Sequence, residues 1–220
     1  MMEGKHISVS LWLTSLPLIA VLLASIVAAA GTGYEPEHAL GSGKDDWWTR
    51  YPDQNMNADQ PVGHPLWVLN ALKDGPVLIL DRTQYCRPCV MLHADVKRIM
   101  ANTSSVMTYY DLNAEGSDKR AHDVMEIYSP IGISEDKVPL IVFLTLILDE
   151  SGQVKVAWHS NTGLPVDSQG NDLGEILVSS YLEDAIYYHR QNIDAALENP
   201  DLFSGVRESL RMERLKSSAG

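Results

Sequence analysis

The chain has 220 residues, with 17 basic and 29 acidic side chains, a formal net charge of −12 and a mean hydropathy of −0.11. Such an acidic surface disfavours nucleic acid and anionic lipid as partners and reads as a solvated, soluble face. The only two cysteines, Cys86 and Cys89, cannot staple the core, so the roughly 190 residues after the N-terminal segment must build one domain by burial alone.

From Ile7 to Tyr34 there is no charged side chain, and residues 7–30 are mostly apolar. As a helix they would extend about 36 Å, against a hydrocarbon core of about 30 Å. Residues 1–30 are therefore expected to be a membrane anchor or a signal peptide. Lys5 precedes the run and Glu35, Glu37, Asp45 and Asp46 follow it, which orients the rest of the chain outside the cytoplasm. The run is long for a signal peptide and favours an anchor, whereas Ala28-Ala29-Ala30 offers a cleavage site and a secreted or periplasmic product. Residues 31–60, rich in Gly, Pro and polar side chains, read as a linker or peripheral extension. Trp47-Trp48 within it either pack on the domain or lie at a membrane interface.

Regular structure begins after His64. Leu66, Leu69 and Leu72 give a short helix that Lys73-Asp74-Gly75-Pro76 ends. Val77–Leu80 is a continuous apolar strand, the pattern of a sheet covered on both faces. A helix runs from the cysteines to about Ala101, followed by a strand over 106–112 and a helix over 117–128. Strands at 140–148 and 154–159 flank a hairpin turn at Glu150-Ser151-Gly152-Gln153. A long helix over 173–197 has Ile176, Leu177, Tyr181, Leu182, Ala185 and Ile186 on its expected buried face. Asn199-Pro200 ends it, and a further surface helix is expected over 201–216, within a C-terminal extension at 200–220.

Cys86-Arg87-Pro88-Cys89 carries the chemistry. With a strand ending near Asp81 and a helix starting at the motif, Cys86 falls at the helix N-terminus and Cys89 one turn inside. Unpaired backbone N–H groups and the helix dipole stabilise a thiolate there, and can bring a cysteine pKa from about 8.5 to between roughly 3.5 and 7.5. Cys86 is then the attacking thiol and Cys89 the resolving one. Pro88 suits the first turn, where a missing N–H costs little, and Arg87 adds positive charge beside the thiolate. A competing reading is a metal site, copper or zinc, in which Cys86 and Cys89 are joined by His93 or His159. Another is an inert structural disulfide in an adaptor. In the redox reading no metal or other cofactor is needed.

The run from Pro76 to Cys89 resembles the strand and active-site helix start of thioredoxin-like proteins. A second landmark, Lys137-Val138-Pro139-Leu140-Ile141-Val142-Phe143, is similar to that family's cis-proline before an apolar strand, and lies about 50 residues after Cys89. The resemblance covers roughly residues 61–197, within a thioredoxin-like domain expected over 61–199. It implies an α/β thioredoxin-like fold, a central mixed β-sheet flanked by helices, here with an N-terminal transmembrane or signal helix and an extra C-terminal helix. It also implies thiol-disulfide oxidoreductase activity on protein thiols and disulfides, served by a membrane or soluble redox partner. By the same likeness Pro139 keeps the cysteines from metal, and Val138 pairs with substrate backbone.

The chain departs from the family at several positions. Tyr85 stands where thioredoxins usually have tryptophan, and Arg87 where they have glycine. The family's buried carboxylate lies six residues before the first cysteine, at Leu80 here. Asp81 comes one residue later, where alternation turns it to the other face. It is read as a solvent-facing strand-end residue as readily as a proton acceptor, and is not assigned that role. Oxidase, reductase and isomerase directions stay open, because dithiols of this kind span about 150 mV.

Overall fold

Among the described residues, burial of the apolar runs gives the elements α1 (Leu66–Ala71), β1 (Val77–Arg82), α2 (Arg87–Thr103), β2 (Thr108–Asn113), α3 (Lys119–Tyr128), β3 (Leu140–Leu148), β4 (Val154–Thr162) and α4 (Gly174–Glu198). The structure is a computed structural model, and it describes residues 33–103, 106–132, 137–199 and 201–204. The expected membrane or signal segment, and the expected C-terminal helix beyond Ser204, lie outside the described residues. Among the described residues no helix is long and apolar enough to cross a membrane.

The strands form one mixed sheet in the order β2-β1-β3-β4. β1 and β2 are parallel, with α2 as the crossover, while β1 pairs antiparallel with β3, and β3 with β4. Alternate residues of the central strands feed two cores. Val77, Ile79, Leu140 and Val142 meet Val68 and Leu72 from the α1 segment and Ala121 and Val124 from α3. Leu78, Leu80, Ile141 and Phe143 meet Leu92 and Val96 of α2 and Val178, Leu182 and Ala185 of α4. Both faces are therefore covered, which is why β1 and β3 are apolar without alternation. This connectivity, strand-helix-strand followed by an antiparallel hairpin and a final helix around a four-stranded mixed sheet, is a thioredoxin-like α/β fold.

Local chemistry sets the ends of the elements. Asp118 caps α3 by accepting from the Arg120 N–H at 3.0 Å. In the β3–β4 turn Asp149 Oδ1 accepts from the N–H groups of Ser151 and Gln153, and Gly152 takes the positive φ of 77° that the reversal needs. β1 runs two residues past Leu80, and β4 reaches Thr162. On α4 the buried stripe is Val178, Tyr181, Leu182, Ala185, His189, Asn192 and Ala196. Ile176, expected on the buried face, is 66% exposed. It lies two residues before Val178, about 200° around the helix, and so faces away from the sheet.

The stretch read as linker or peripheral extension is mostly exposed but is anchored to the domain by a few buried side chains. Trp47 and Trp48 are fully buried, which removes them from any membrane interface. Trp48 exchanges two backbone hydrogen bonds with Trp158 of β4, at 2.8 and 2.9 Å. Asp184 of α4, buried among apolar side chains, accepts from the backbone N–H groups of Glu37 and His38 and from Trp47 Nε1–H, and meets His38 Nδ1 at 2.8 Å. Tyr181 stacks between His38 and His159, with ring centroids 3.7 and 3.9 Å away.

Candidate active site

Cys86 occupies the cap position of α2. Its carbonyl accepts the first helical bond from the Val90 N–H at 3.1 Å, and its Sγ accepts from the Cys89 N–H at 3.2 Å. Pro88 has no N–H to offer, so the cap bond falls on the third helical residue, the usual donor to a capping side chain. There is no acidic residue in the first turn of α2, which leaves the positive end of the helix dipole for sulfur. Cys86 and Cys89 are joined by a disulfide with Cα atoms 5.1 Å apart. Cys89 is fully buried, Cys86 is half-buried, and Arg87 and Pro88 are exposed. Tyr85, next to Cys86 in the chain, is 92% exposed.

The chain start of β3 meets this helix end. The Val138–Pro139 peptide is cis, and the Val138 carbonyl oxygen lies 3.8 Å from Cys86 Sγ. Cys86, Cys89, Val138 and Pro139 are thus brought together from separate stretches of the sequence, with Arg87, Pro88 and Tyr85 on the rim.

The two histidines of the competing metal reading are engaged elsewhere. His93 Nε2 sits 3.2 Å from Asp111 Oδ2 on the β2 side of α2, and burial holds its pKa down. His159 Nδ1 lies 3.0 Å from the Asp46 carbonyl, in position to donate, with its ring on Tyr181. Burial pushes its pKa down to about 3. Among the described residues no group of three His, Cys, Asp or Glu side chains converges as a metal site would require.

Asp81 differs from the solvent-facing reading: it is 1% exposed. Register explains where it points. Its partners are Leu112 and Leu140, both members of the core on the α1 and α3 side, whereas α2 covers the face of Leu80. The alternation inferred from sequence therefore holds, and the carboxylate lies across the sheet from Cys89. Neither of its oxygens has a hydrogen-bond partner among the described residues. Burial raises its pKa to about 7; the Arg82 backbone N–H opposes the rise, and the Asp118 charge adds to it. Sequence reasoning missed this burial because a carboxylate ending an apolar run gives no signal beyond its polarity.

Comparison with known proteins gives the following. No protein-family model and no curated protein matches this chain. Among solved structures it is similar to chloroplastic thioredoxin z, at 12% identity over 55% of this chain and 88% of that one, with a TM-score of 0.34. It is similar to the Trichomonas vaginalis thioredoxin, at 20% identity over 46% and 81% of the two chains, TM-score 0.31. The oxidised mitochondrial thioredoxin 3 of Saccharomyces cerevisiae follows at 16% identity over 43% and 73%, TM-score 0.28. At these values the likeness is a description of resemblance, and the site rests on its own geometry.

Proposed function

We propose that this chain performs thiol-disulfide exchange on protein substrates outside the cytoplasm, held to a membrane through residues 7–30. The observation that carries the reading is Cys86 Sγ at the cap of α2, bonded by the Cys89 N–H at 3.2 Å and facing the Val138 carbonyl at 3.8 Å. A thiolate at that point is stabilised by the helix end, and its oxidised partner is already in bonding position.

The exchange balances without a cofactor. In the reduced form the Cys86 thiolate attacks a substrate disulfide; a Cys86–substrate S–S bond forms, and the other substrate sulfur leaves as thiolate. Cys89 then gives up its proton, which the substrate thiolate just released takes up, and attacks Cys86 Sγ, which breaks the mixed disulfide and releases the second substrate thiolate. Two electrons pass from the protein dithiol to the substrate. Run backwards, the Cys86–Cys89 disulfide accepts two electrons from a substrate dithiol. Tyr85 and the Val138–Pro139 edge supply the surface on which the polypeptide lies.

Placement outside the cytoplasm is supported by the uncharged run from Ile7 to Tyr34, by Lys5 before it and four acidic residues soon after it, and by the persistence of disulfides in such compartments. A membrane or soluble redox partner would reset the dithiol after each turnover. Cleavage near Ala30 would give the same domain in secreted or periplasmic form. The test is a trap: Cys89→Ser should accumulate a reducible adduct between Cys86 and substrate protein, and Cys86→Ser should not. No adduct, together with a wild type inactive on a model protein disulfide, overturns the reading.

A further inference from the structure

Beside the active-site edge lies a cavity of about 480 Å³ whose walls include Asp81, Thr83, His122, Met125, Glu126 and Val138. It joins the two features that the exchange reaction does not use together, the unpartnered carboxylate of Asp81 and the substrate-facing residue Val138. We propose that this cavity is a specificity site that takes the lysine or arginine side chain of a substrate polypeptide, within two residues of the substrate's cysteine. The inference rests on the exchange function proposed above.

Asp81 forms a floor of unusual chemistry. It is buried in the domain, both oxygens lack a geometric hydrogen-bond partner among the described residues, and the Arg82 backbone N–H and the like charge of Asp118 act on it rather than the charge of a lysine or arginine. The neighbouring guanidinium groups are engaged elsewhere. Arg82 is bidentate to Asp111 at 2.7 and 2.9 Å, and Arg120 is bound to Asp118 at 3.0 Å. A buried carboxylate already stripped of water gains most from a cation that brings its own hydrogen bonds, since the desolvation cost at the protein side has been met in the folded state. Glu126 at the wall, 3.9 Å from His122 Nε2, extends the same sign of charge while His122 is neutral, and Met125 is an unbranched, adaptable wall that can open for an aliphatic stem.

Position relative to the sulfur fixes which substrate residue enters. The Val138 carbonyl is 3.8 Å from Cys86 Sγ, and an extended chain advances about 3.3 Å per residue. A polypeptide with its cysteine at Cys86 and its backbone along Val138 therefore places a side chain one or two steps away at the cavity mouth.

The test uses the reduced full chain at pH 8, above the raised Asp81 pKa of about 7, and short peptides with one cysteine in a mixed disulfide with a thiol chromophore. Lysine, norleucine or glutamate is placed one or two residues from that cysteine, or six residues away. Lysine near the cysteine should raise the second-order exchange rate roughly ten-fold over norleucine, the scale of a close charge pair, and glutamate should lower it. Lysine six residues away should give little gain, which separates the cavity from general attraction to an acidic protein. Asp81→Asn should abolish the lysine advantage and leave the norleucine rate within about two-fold. Equal wild-type rates for near lysine and norleucine overturn the inference, as does a lysine advantage that survives in Asp81→Asn or is equal at the distant position. Should Asp81→Asn fail to fold, the wild-type peptide series decides alone. Exchange with no peptide at all, norleucine included, overturns the exchange function itself and this inference with it.

Discussion

Cys86 Sγ and the Cys89 N–H stand in the relationship of a helix cap to its third residue, 3.2 Å apart, so the nucleophile fills the acceptor position that serine or aspartate occupies elsewhere. Reduction leaves that donor aimed at the sulfur, and the charged form accepts it better than the neutral one. Iodoacetamide should therefore alkylate reduced Cys86 at a pH well below that at which a free cysteine reacts, while buried Cys89 stays slow. Arg87→Glu places an anion in the first turn and should move the alkylation profile upward by several tenths of a pH unit, in line with about 0.3–1 kcal/mol for a charge at a helix terminus. A profile for wild type that matches free cysteine would contradict the cap argument.

Asp81 ties stability to pH. Unfolded, it releases its proton near its ordinary value of 3.8; folded, near about 7. Between these the native state holds a proton that the unfolded chain has lost, so this contribution to stability falls as pH rises from about 4 to about 7 and is flat above. Asp81→Asn removes that slope. Urea midpoints should show the variant close to wild type at pH 4 and more stable at pH 8; parallel curves would place the carboxylate in a wetter setting than the geometry gives.

Two enclosed histidines act in the opposite sense. Burial lowers the pKa of His64 to about 4 and of His159 to about 3, against about 6.5 in the unfolded chain. Their contribution is complete above that value and is lost as pH falls through the interval down to the folded values. Ring proton resonances of both should stay unshifted between pH 8 and 5, and acid unfolding should be accompanied by proton uptake. A titration of either ring near 6.5 would refute the assignment.

Asp184 gathers the donors of Glu37, His38 and Trp47. Asp184→Ala leaves the buried Trp47 Nε1–H without its acceptor, at a cost of about 1–3 kcal/mol, while the part-buried N–H groups of Glu37 and His38 can turn to water. We expect a loss of about 1–3 kcal/mol in chemical unfolding and new proteolytic cleavage within residues 36–60. Unchanged stability would mean that this stretch contributes nothing to the domain.

Much of this arrangement was legible in the sequence, for identifiable reasons. Apolar runs such as Val77–Leu80 and Leu140–Leu148 announce doubly covered strands, and Cys-x-Pro-Cys followed by Val138-Pro139 marks two chain ends that one topology brings together. Burial of polar groups left no such trace. Asp81 read as a solvent-facing strand end as readily as a proton acceptor and Asp184 gave no signal, because the feature that buries each one is tertiary: a core face set by strand register for Asp81, and an N-terminal stretch bonded to α4 for Asp184. Residues 36–60 lack periodicity since they bind through backbone groups and single tryptophans rather than through a repeating face.

The backbone bridge between Trp48 and Trp158 bears on how the protein behaves when crowded. A sheet with two bare margins can recruit neighbours on both sides and propagate into a fibre. Here a second chain approaching β4 would first have to displace Trp48 from its two hydrogen bonds, while among the described residues the outer side of β2 carries no paired strand. At that point of the β4 edge, strand addition by a neighbouring chain is blocked.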